Sequence, residues 1–240
     1  MPQQLPLPLG LNAELSFSQF WPGPNREAVE QLQRTAQGRG ELLIVLWGGP
    51  GQGKTHLLNA TCSSGAQHGH AVAYFPMSLL RDHGAEALEG AEAFQIVCLD
   101  DVEAIAGNPE WEPSLFRLFN QLRDTGHQLV VSASLPPPQL SFALPDLASR
   151  LTWGLTLRLH PLDEDDTRHI LQMKSRSLGL EMPGTVARFL MNHTQRDLVA
   201  LTSLLERLDR ASLAAQRRLT IPFVKDVLHI RNEEGHHEVT

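Results

Sequence analysis

Residues 48–55 read Gly48-Gly49-Pro50-Gly51-Gln52-Gly53-Lys54-Thr55. Their spacing matches the pattern G-x-x-x-x-G-K-S/T of a loop that binds nucleotide phosphates. Glycines let backbone N–H groups turn towards phosphate oxygens, a lysine placed like Lys54 reaches the β- and γ-phosphates, and the hydroxyl of Thr55 suits Mg²⁺. The alternative is a glycine-rich turn with an accidental lysine. We expect ATP or ADP with Mg²⁺ as the ligand, because the flanking elements also fit.

Those flanking elements are a strand and a helix. The continuous apolar run at 42–47 predicts a strand covered on both faces, and a helix is predicted from Lys54 to about His68. Strands and helices alternate further along the chain, which favours an α/β fold with a mostly parallel sheet and right-handed crossovers. The other predicted strands are 71–76, 95–100, 128–132 and 155–159, and the other predicted helices of this part are 26–37 and 111–124.

The β pattern ends before Pro161, and helical spacing of apolar residues takes over. Four helices are predicted at 163–178, 184–192, 196–217 and 222–230, which indicates a small helical lid domain. The alternating Leu and Pro residues at the N-terminus favour an extended tail. The expected organisation is a tail at 1–12, a nucleotide-binding domain at 13–160, a lid domain at 161–230 and a tail at 231–240.

The composition excludes several classes of protein. Of the 240 residues, 42% are hydrophobic and 20% are charged, as expected for a folded globular chain. A formal charge of −7 gives no global attraction to a phosphate backbone, which disfavours a protein that coats DNA. Without an apolar run of about 18 residues or a signal-like N-terminus, we expect a cytoplasmic protein with no membrane partner. Cys62 and Cys98 lack metal-ligand spacing and are interpreted as reduced, packed thiols.

Two carboxylates, Asp100 and Asp101, follow the apolar residues of the third predicted strand. The carboxyl ends of parallel strands share one edge of a sheet, so we expect both side chains beside the phosphate loop. In phosphoryl transfer such carboxylates contact Mg²⁺ and orient the attacking water, and we assign the first role to Asp100 and the second to Asp101. A solvated acidic pair at the end of a strand is the alternative.

Longer segments resemble a known family of replication proteins. The phosphate loop with its continuation His56-Leu57-Leu58, the segment 99–102 and the segment 147–156 are similar to elements of the bacterial initiator DnaA, an AAA+ protein. The chain contains no helix-turn-helix domain after Ile230 that would read origin DNA. It therefore more closely resembles the Hda family, DnaA homologues of regulatory inactivation of DnaA. The segments that carry this resemblance are 4–9, 20–23, 144–151, 208–212, 216–217 and 219–225.

The resemblance implies a function and partners. Hda-like proteins, in their ADP-bound form, dock on the DNA-loaded sliding clamp (the β subunit of DNA polymerase III) and stimulate hydrolysis of the ATP bound to DnaA, which prevents re-initiation. Arg150 corresponds to the arginine finger that acts in trans. The resemblance also leaves a homodimer or larger oligomer open, implies association with the nucleoid through the clamp, and implies no strong sequence-specific DNA binding. The clamp-binding residues that it implies are Gln4, Leu5, Leu7 and Leu9.

Further residues are assigned to the nucleotide. Arg196 resembles the sensor II arginine that reaches the nucleotide from the lid. The aromatic loop with Phe20, Pro22 and Gly23 is expected over the base, and His56 is expected beside it, although these aromatic rings would equally serve to staple the first helix. A surface arginine paired with a carboxylate is the alternative for Arg150.

One departure from the family pattern bears on catalysis. Ser134 occupies the position of the sensor I aspartate and cannot bear its charge, so we expect weak or no hydrolysis by the chain alone. The main alternative function is a self-sufficient AAA+ ATPase such as a helicase loader, which would need its own sensor I. A P-loop kinase and a DNA-binding initiator are the other rivals. The separate lid argues against the first, and the absence of a base-reading domain with a negative net charge argues against the second.

Overall fold

The computed structural model describes residues 15–193 and 198–228, except for the side chain of Val199. The chain separates after Leu162 into two compact units. The first unit holds five parallel strands in the order β2-β3-β4-β1-β5, and the predicted parallel α/β sheet is therefore confirmed. The strands are β1 (Leu43–Trp47), β2 (Val72–Pro76), β3 (Ile96–Asp100), β4 (Gln128–Ala133) and β5 (Leu155–Arg158).

Five α-helices accompany the sheet in the described part of this unit. They are α1 (Arg26–Ala36), α2 (Lys54–Gln67), α3 (Met77–Leu80), α4 (Trp111–Thr125) and α5 (Pro145–Trp153). The longer helices lie within a residue or two of their predicted bounds. Helix α5 was not among the predicted helices, and Arg150 lies inside it. Proline is favourable in the first turn of a helix, and Pro145 opens α5 in that position.

The two faces of the sheet carry different helices because alternate side chains of a strand point to opposite sides. On one face, Leu43 and Val45 of β1 share an apolar core with side chains of α4 and α5. On the other, Ile44 and Leu46 share a core with side chains of α1 and α2. We refer to these as the α4–α5 face and the α1–α2 face. All four of these β1 side chains are at most 1% exposed, as expected for a strand covered on both sides.

The second unit is helical over its described residues, with α6 (Glu164–Ser177), α7 (Gly184–His193), α8 (Leu198–Ala215) and α9 (Ile221–Leu228). Helix α6 starts with a capping box, in which the Asp163 carboxylate accepts from the backbone N–H of Asp166 and the side chain of Asp166 accepts from the backbone N–H of Asp163. Aliphatic side chains of all four helices form its core. Within the described ranges, no helix combines the length and apolarity needed to cross a membrane.

Candidate functional site

The phosphate loop leaves the carboxyl end of β1 and leads directly into α2, which begins at Lys54. Gly51 and Gly53 have φ angles of 73° and 91°, in the left-handed region that favours glycine. The backbone N–H of Gly48 donates to the carbonyl of Ala133 at 3.1 Å and so fastens the start of the loop to β4. The loop therefore combines a turn that only glycines form easily with the N-terminus of a 14-residue helix, where anions bind.

The Lys54 ammonium lies inside this turn. Its side chain is only 8% exposed, and Nζ donates to the carbonyl oxygens of Gly48 at 2.8 Å and of Gly49 at 3.0 Å. The side chain of Gln52 lies against the same two glycines, and its Oε1 is buried with no hydrogen-bond partner among the described residues. Two carbonyl oxygens hold the ammonium without neutralising its charge, so Lys54 is prepared to bind a phosphate anion.

The aromatic loop packs on the phosphate loop. A Cβ atom on Gly53 would lie 2.7 Å from Cε2 of Phe20, so a side chain at this glycine would displace the ring. Phe20 also meets the ring of His56 edge to face, with 5.3 Å between centroids, and Nε2 of His56 is 2.8 Å from the carbonyl oxygen of Ser16. The structure thus brings Phe20 and His56, both assigned to the nucleotide, together at the loop.

Gly23 is the first residue of a short 3-10 turn, Gly23–Asn25, that leads into α1, and Pro22 directly precedes this turn. The buried side-chain amide of Asn25 fixes this turn, because Nδ2 donates to the carbonyl of His160 at 3.1 Å and Oδ1 accepts from the N–H of His160 at 2.7 Å. The start of the domain and the segment after β5 are therefore held together by a pair of hydrogen bonds.

Asp100 is buried at the carboxyl end of β3, and both of its carboxylate oxygens accept hydrogen bonds. The hydroxyl of Tyr74 donates to Oδ2 at 2.7 Å, and the hydroxyl of Ser132 donates to Oδ1. Burial, followed by the neighbouring charge of Asp100, raises the pKa of Tyr74, so the phenol stays a donor. These two hydroxyl donors hold both oxygens of the Asp100 side chain in place at the end of β3.

The sequence reasoning missed Tyr74 and Ser132 as parts of the site. Both carried a visible signal, since Tyr74 is the only tyrosine of the chain and Ser132 is a polar residue within the apolar stretch of β4. The pairing of β2 with β3 and of β3 with β4 brings both side chains to Asp100. No sequence spacing specifies that pairing.

Asp101 adopts a left-handed backbone conformation, with φ 56° and ψ 54°, which is uncommon for a residue with a side chain. Its backbone N–H donates to Oγ of Ser132 at 2.9 Å. Burial raises the pKa of the Asp101 carboxyl, with further contributions from Asp100 and Glu103, while Lys54 and Ser78 oppose the rise. The influence of Lys54 means that the carboxylate of Asp101 is electrostatically coupled to the phosphate loop.

Glu103 is a third residue of this region that the sequence patterns did not predict. Its Oε1 accepts from the backbone N–H of Ser134 at 2.9 Å, and its Oε2 is buried without a hydrogen-bond partner among the described residues. The backbone of Ser134, which the family resemblance assigned to the sensor I position, is thus fixed by a carboxylate that follows β3.

The residues assigned to Mg²⁺ suit that ion. Thr55 has an exposed hydroxyl in the first turn of α2, and Asp100 has a carboxyl group, so both supply the hard oxygen atoms that Mg²⁺ prefers. The structure contains no cluster of three or more His, Cys, Asp or Glu side chains that would hold a metal among residues 15–193 and 198–228. This donor set is typical of Mg²⁺ held by few protein groups together with phosphate and water oxygens.

Arg150 lies away from the groups described so far. It belongs to α5, on the α4–α5 face, and its guanidinium carbon is 5.9 Å from the centroid of the Phe119 ring of α4. The last residue of α5, Trp153, meets the same ring edge to face at 6.4 Å. The structure therefore does not place Arg150 with Lys54, whose helix lies on the α1–α2 face.

The remaining assigned residues, Gln4, Leu5, Leu7, Leu9 and Arg196, are outside the described part of the chain.

Comparisons with known protein families match each of the two units to a family named for DnaA or for Hda. Residues 11–158 match the family described as the bacterial DnaA ATPase domain, and residues 163–228 match the family described as the lid domain of Hda. Domain III of the replication initiation protein DnaA from Thermotoga maritima is 26% identical, with a TM-score of 0.78 over 92% of this chain and 98% of that one.

Two further structures are similar in fold. AMPPCP-bound DnaA from Aquifex aeolicus is 24% identical, with a TM-score of 0.72 over 82% of this chain and 65% of that one. The Holliday junction branch migration motor RuvB of Thermotoga maritima is 16% identical, with a TM-score of 0.59 over 85% of this chain and 67% of that one. The fold is that of an AAA+ P-loop module with a C-terminal helical lid domain.

Proposed function

Because the chain belongs to the family of the bacterial DnaA ATPase domain and carries a lid domain of the Hda type, we propose that it is a regulatory inactivator of DnaA. In this proposal the chain binds ADP or ATP with Mg²⁺ in its own phosphate loop. It then stimulates hydrolysis of the ATP held by DnaA, with Arg150 as the arginine finger. The bound nucleotide acts as a ligand that selects the conformation presenting Arg150, and its own turnover is not required.

The observation that carries this proposal is that the helix holding Arg150 and the helix that begins at Lys54 pack on opposite faces of the sheet. Helix α2 packs on one face of the sheet and α5 on the other. Packed layers lie about 10 Å apart, so the two helices are separated by roughly 20 Å. The separation extends along the strands as well, since Gly154, directly after α5, packs against Leu43 at the amino end of β1, whereas the phosphate loop leaves the carboxyl end. An arginine so placed is suited to a nucleotide held by another subunit.

The proposed chemistry is electrostatic. In phosphoryl transfer, charge spreads over the oxygens of the transferred group, and a guanidinium supplied by a neighbouring subunit stabilises that charge. Arg150 is partly exposed at the surface of α5, and its planar guanidinium matches the geometry of phosphate oxygens. It would thus complete the catalytic centre of DnaA without reacting itself.

Binding of nucleotide by the chain is supported by the loop and by a relative. The DnaA of Aquifex aeolicus is bound to AMPPCP, and we extend nucleotide binding to this chain. Lys54 would bind phosphate oxygens in place of the loop carbonyls, Phe20 and His56 would lie beside the base, and Arg196 would reach the nucleotide from the lid. Mg²⁺, held by Thr55 and by Asp100 through water, would neutralise phosphate charge.

Docking on the sliding clamp is proposed for the N-terminal tail. Leu5, Leu7 and Leu9 would fill apolar hollows while Gln4 hydrogen-bonds at the rim, and the prolines between them reduce the entropy lost on binding. Docking would raise the local concentration of the chain near DnaA on the same DNA.

A second candidate is a self-sufficient AAA+ ATPase such as a helicase loader. The coupling between Asp101 and Lys54 supports it, because a carboxylate near the phosphate loop is positioned to orient water. The uncharged Ser134 argues against it. Hydrolysis by the purified chain alone, compared with an Asp101→Asn variant, separates the two functions, since only a self-sufficient ATPase loses measurable turnover on this change.

The main test measures hydrolysis of labelled ATP bound to DnaA in the presence of clamp-loaded DNA and the ADP-bound chain. We expect stimulation by the wild type, loss with Arg150→Ala, and loss with deletion of residues 1–9, while both variants still bind nucleotide. Arg123→Ala removes a surface arginine of α4 and should have no effect. Full stimulation by Arg150→Ala would refute the proposed function.

A further inference from the structure

Helix α5 is fastened to α4 by two residues, Glu112 and Phe119. We propose that these two residues position the guanidinium of Arg150 for the partner's nucleotide. The inference rests on the proposed function, because it concerns the residue that would act in trans. It goes beyond that function by assigning the orientation of Arg150 to side chains that do not meet nucleotide themselves.

Glu112 is a buried carboxylate, only 2% exposed, in the first turn of α4. It accepts three backbone hydrogen bonds, which come from two loops. Oε1 accepts from Gly107 at 2.5 Å and from Ala143 at 3.0 Å, and Oε2 accepts from Leu144 at 2.6 Å. Hydrogen bonds to an ionised acceptor are stronger than neutral ones, so the buried charge is well compensated.

Two of these donors belong to the start of α5. Leu144 is the residue before the helix, and its apolar side chain provides no capping hydrogen bond. The N-terminus of a helix carries unpaired N–H groups and a partial positive charge, which a nearby anion stabilises. The carboxylate of Glu112, which belongs to α4, accepts from the N–H of the N-cap residue Leu144 and from that of the residue before it, and so holds the chain where α5 begins.

Phe119 fixes the other end of α5. It lies seven residues after Glu112, which places both residues on one side of α4. Its ring is 5.9 Å from the guanidinium carbon of Arg150 and 6.4 Å from the ring of Trp153, one helical turn later. A cation near the face of an aromatic ring is attracted to it, so Phe119 limits the directions that the Arg150 side chain adopts. Trp153 is 61% exposed, so this end of α5 lies at the surface.

Such a connection matters for an arginine that acts on a neighbouring subunit. The gain from electrostatic stabilisation depends on a donor placed in advance at the charge that develops, and a displacement of about 1 Å can reduce a rate about 100-fold. A surface helix with a free start and an unconstrained arginine would not hold that geometry. The hydrogen bonds of Glu112 set the position of α5, and Phe119 sets the direction of Arg150.

The test compares Glu112→Gln and Phe119→Leu with matched controls. Glutamine keeps the size of Glu112 but replaces one acceptor oxygen with an NH₂ group that cannot accept from an N–H. Leucine keeps an apolar side chain but removes the aromatic face. The controls are Glu110→Gln, an exposed carboxylate two residues earlier, and Phe116→Leu, a half-buried ring of α4. Each ADP-bound protein is titrated into DnaA loaded with labelled ATP on clamp-loaded DNA, and its thermal unfolding and nucleotide affinity are measured.

We expect Glu112→Gln and Phe119→Leu each to lower the maximal stimulated rate by roughly 10-fold or more, given the sensitivity of such geometry. The concentration for half-maximal stimulation and the nucleotide affinity should stay within about twofold, whereas a loss of folded protein would change both. In an Arg150→Ala background neither change should reduce the rate further, because residues that act through one group are not additive.

The outcomes separate this inference from the proposed function. If Arg150→Ala abolishes stimulation while Glu112→Gln and Phe119→Leu retain the wild-type rate, the positioning role is wrong and the proposed function stands. If Arg150→Ala stimulates like the wild type, both are wrong. Should Glu112→Gln fail to fold, Phe119→Leu alone decides, and a loss equal to that of Phe116→Leu would overturn the inference.

Discussion

Each face of the sheet has a buried carboxylate, but the hydrogen-bond donors that hold the two carboxylates differ. On the α1–α2 face, Asp100 is held by the side-chain hydroxyls of Tyr74 and Ser132. On the α4–α5 face, Glu112 is held by three backbone N–H groups. Hydroxyl groups rotate and accept as well as donate, whereas backbone donors are fixed. The donors of Asp100 are therefore free to rotate, whereas the donors of Glu112 hold the chain at the start of α5.

The two faces also differ in the positively charged side chain that each provides. Lys54 is buried and bonded to carbonyl oxygens of its own loop, while Arg150 is partly exposed over an aromatic ring. Their helices pack on opposite faces of the sheet, so a change on one face can leave the chemistry of the other intact. In the proposed function the α1–α2 face serves the nucleotide of this chain and the α4–α5 face serves that of its partner.

The largest expected effects are two separate losses, one of stimulated hydrolysis and one of nucleotide affinity. Arg150→Ala should lower the stimulated hydrolysis of DnaA-bound ATP about 1,000-fold, the lower end of the range for an arginine finger, with unchanged nucleotide affinity. Lys54→Ala should weaken binding of ADP by the chain roughly 100-fold, because a buried charge-assisted contact is lost. Stimulated hydrolysis and titration with a fluorescent ADP analogue measure the two effects. Loss of nucleotide affinity in Arg150→Ala would contradict the separation.

The next largest effect concerns the cores beneath the faces. Leu58 of α2 and Leu115 of α4 are fully buried on opposite sides of the sheet. Changing either to Ala should lower the free energy of unfolding by about 3 kcal/mol, the usual cost of such a cavity. Only Leu58→Ala should also weaken nucleotide binding, since Leu58 lies one turn after Lys54. Chemical denaturation and nucleotide titration provide the measurements, and equal weakening by Leu115→Ala would show that the faces are coupled.

A smaller effect is expected at the hydroxyl donors of Asp100. Tyr74→Phe removes one hydrogen bond to a buried carboxylate and should lower stability by about 1.5–3 kcal/mol, the range for bonds to charged groups. Mg²⁺-dependent nucleotide affinity should fall with it, while affinity measured in EDTA changes less. Phe75→Leu, on the opposite face of β2, serves as the control. If the nucleotide affinity of Tyr74→Phe depends on Mg²⁺ as that of the wild type does, Asp100 does not contribute to the site of the ion.

The smallest effect is a pH dependence on the α1–α2 side. Burial raises the pKa of Asp101 above its ordinary value of 3.8, so the folded chain holds this proton more tightly than the unfolded chain does. Stability contributed by the protonated group is present below pH 3.8 and is lost as the pH rises through the folded pKa. Asp101→Asn should therefore be more stable than the wild type at neutral pH, and the difference should vanish in acid. Unfolding curves at several pH values check this, with the exposed Glu41→Gln as control.

The sequence predicted the fold because its signals are local. The glycine spacing of residues 48–55 and the apolar run before it indicate a strand, loop and helix that the structure confirms. The donors of Asp100 and Glu112 could not be predicted, because they come together only when distant segments pair. Glu112 stands in an amphipathic helix and reads as an ordinary charged residue, while its partners at 143 and 144 lie in the loop before α5.

The order of the strands in the sheet determines when they can pair during synthesis of the chain. Strand β1 lies between β4 and β5, so its first neighbour exists only after residue 133 has been synthesised and its second only after residue 158. During that interval, the apolar stretch Leu43–Trp47 has no partner strand, and exposed segments of this kind are prone to aggregate. The anchor of Gly48 on Ala133 also forms late. Nucleotide therefore meets a finished loop only after most of the sheet unit has left the ribosome, and it can stabilise the product of folding but not its early stages.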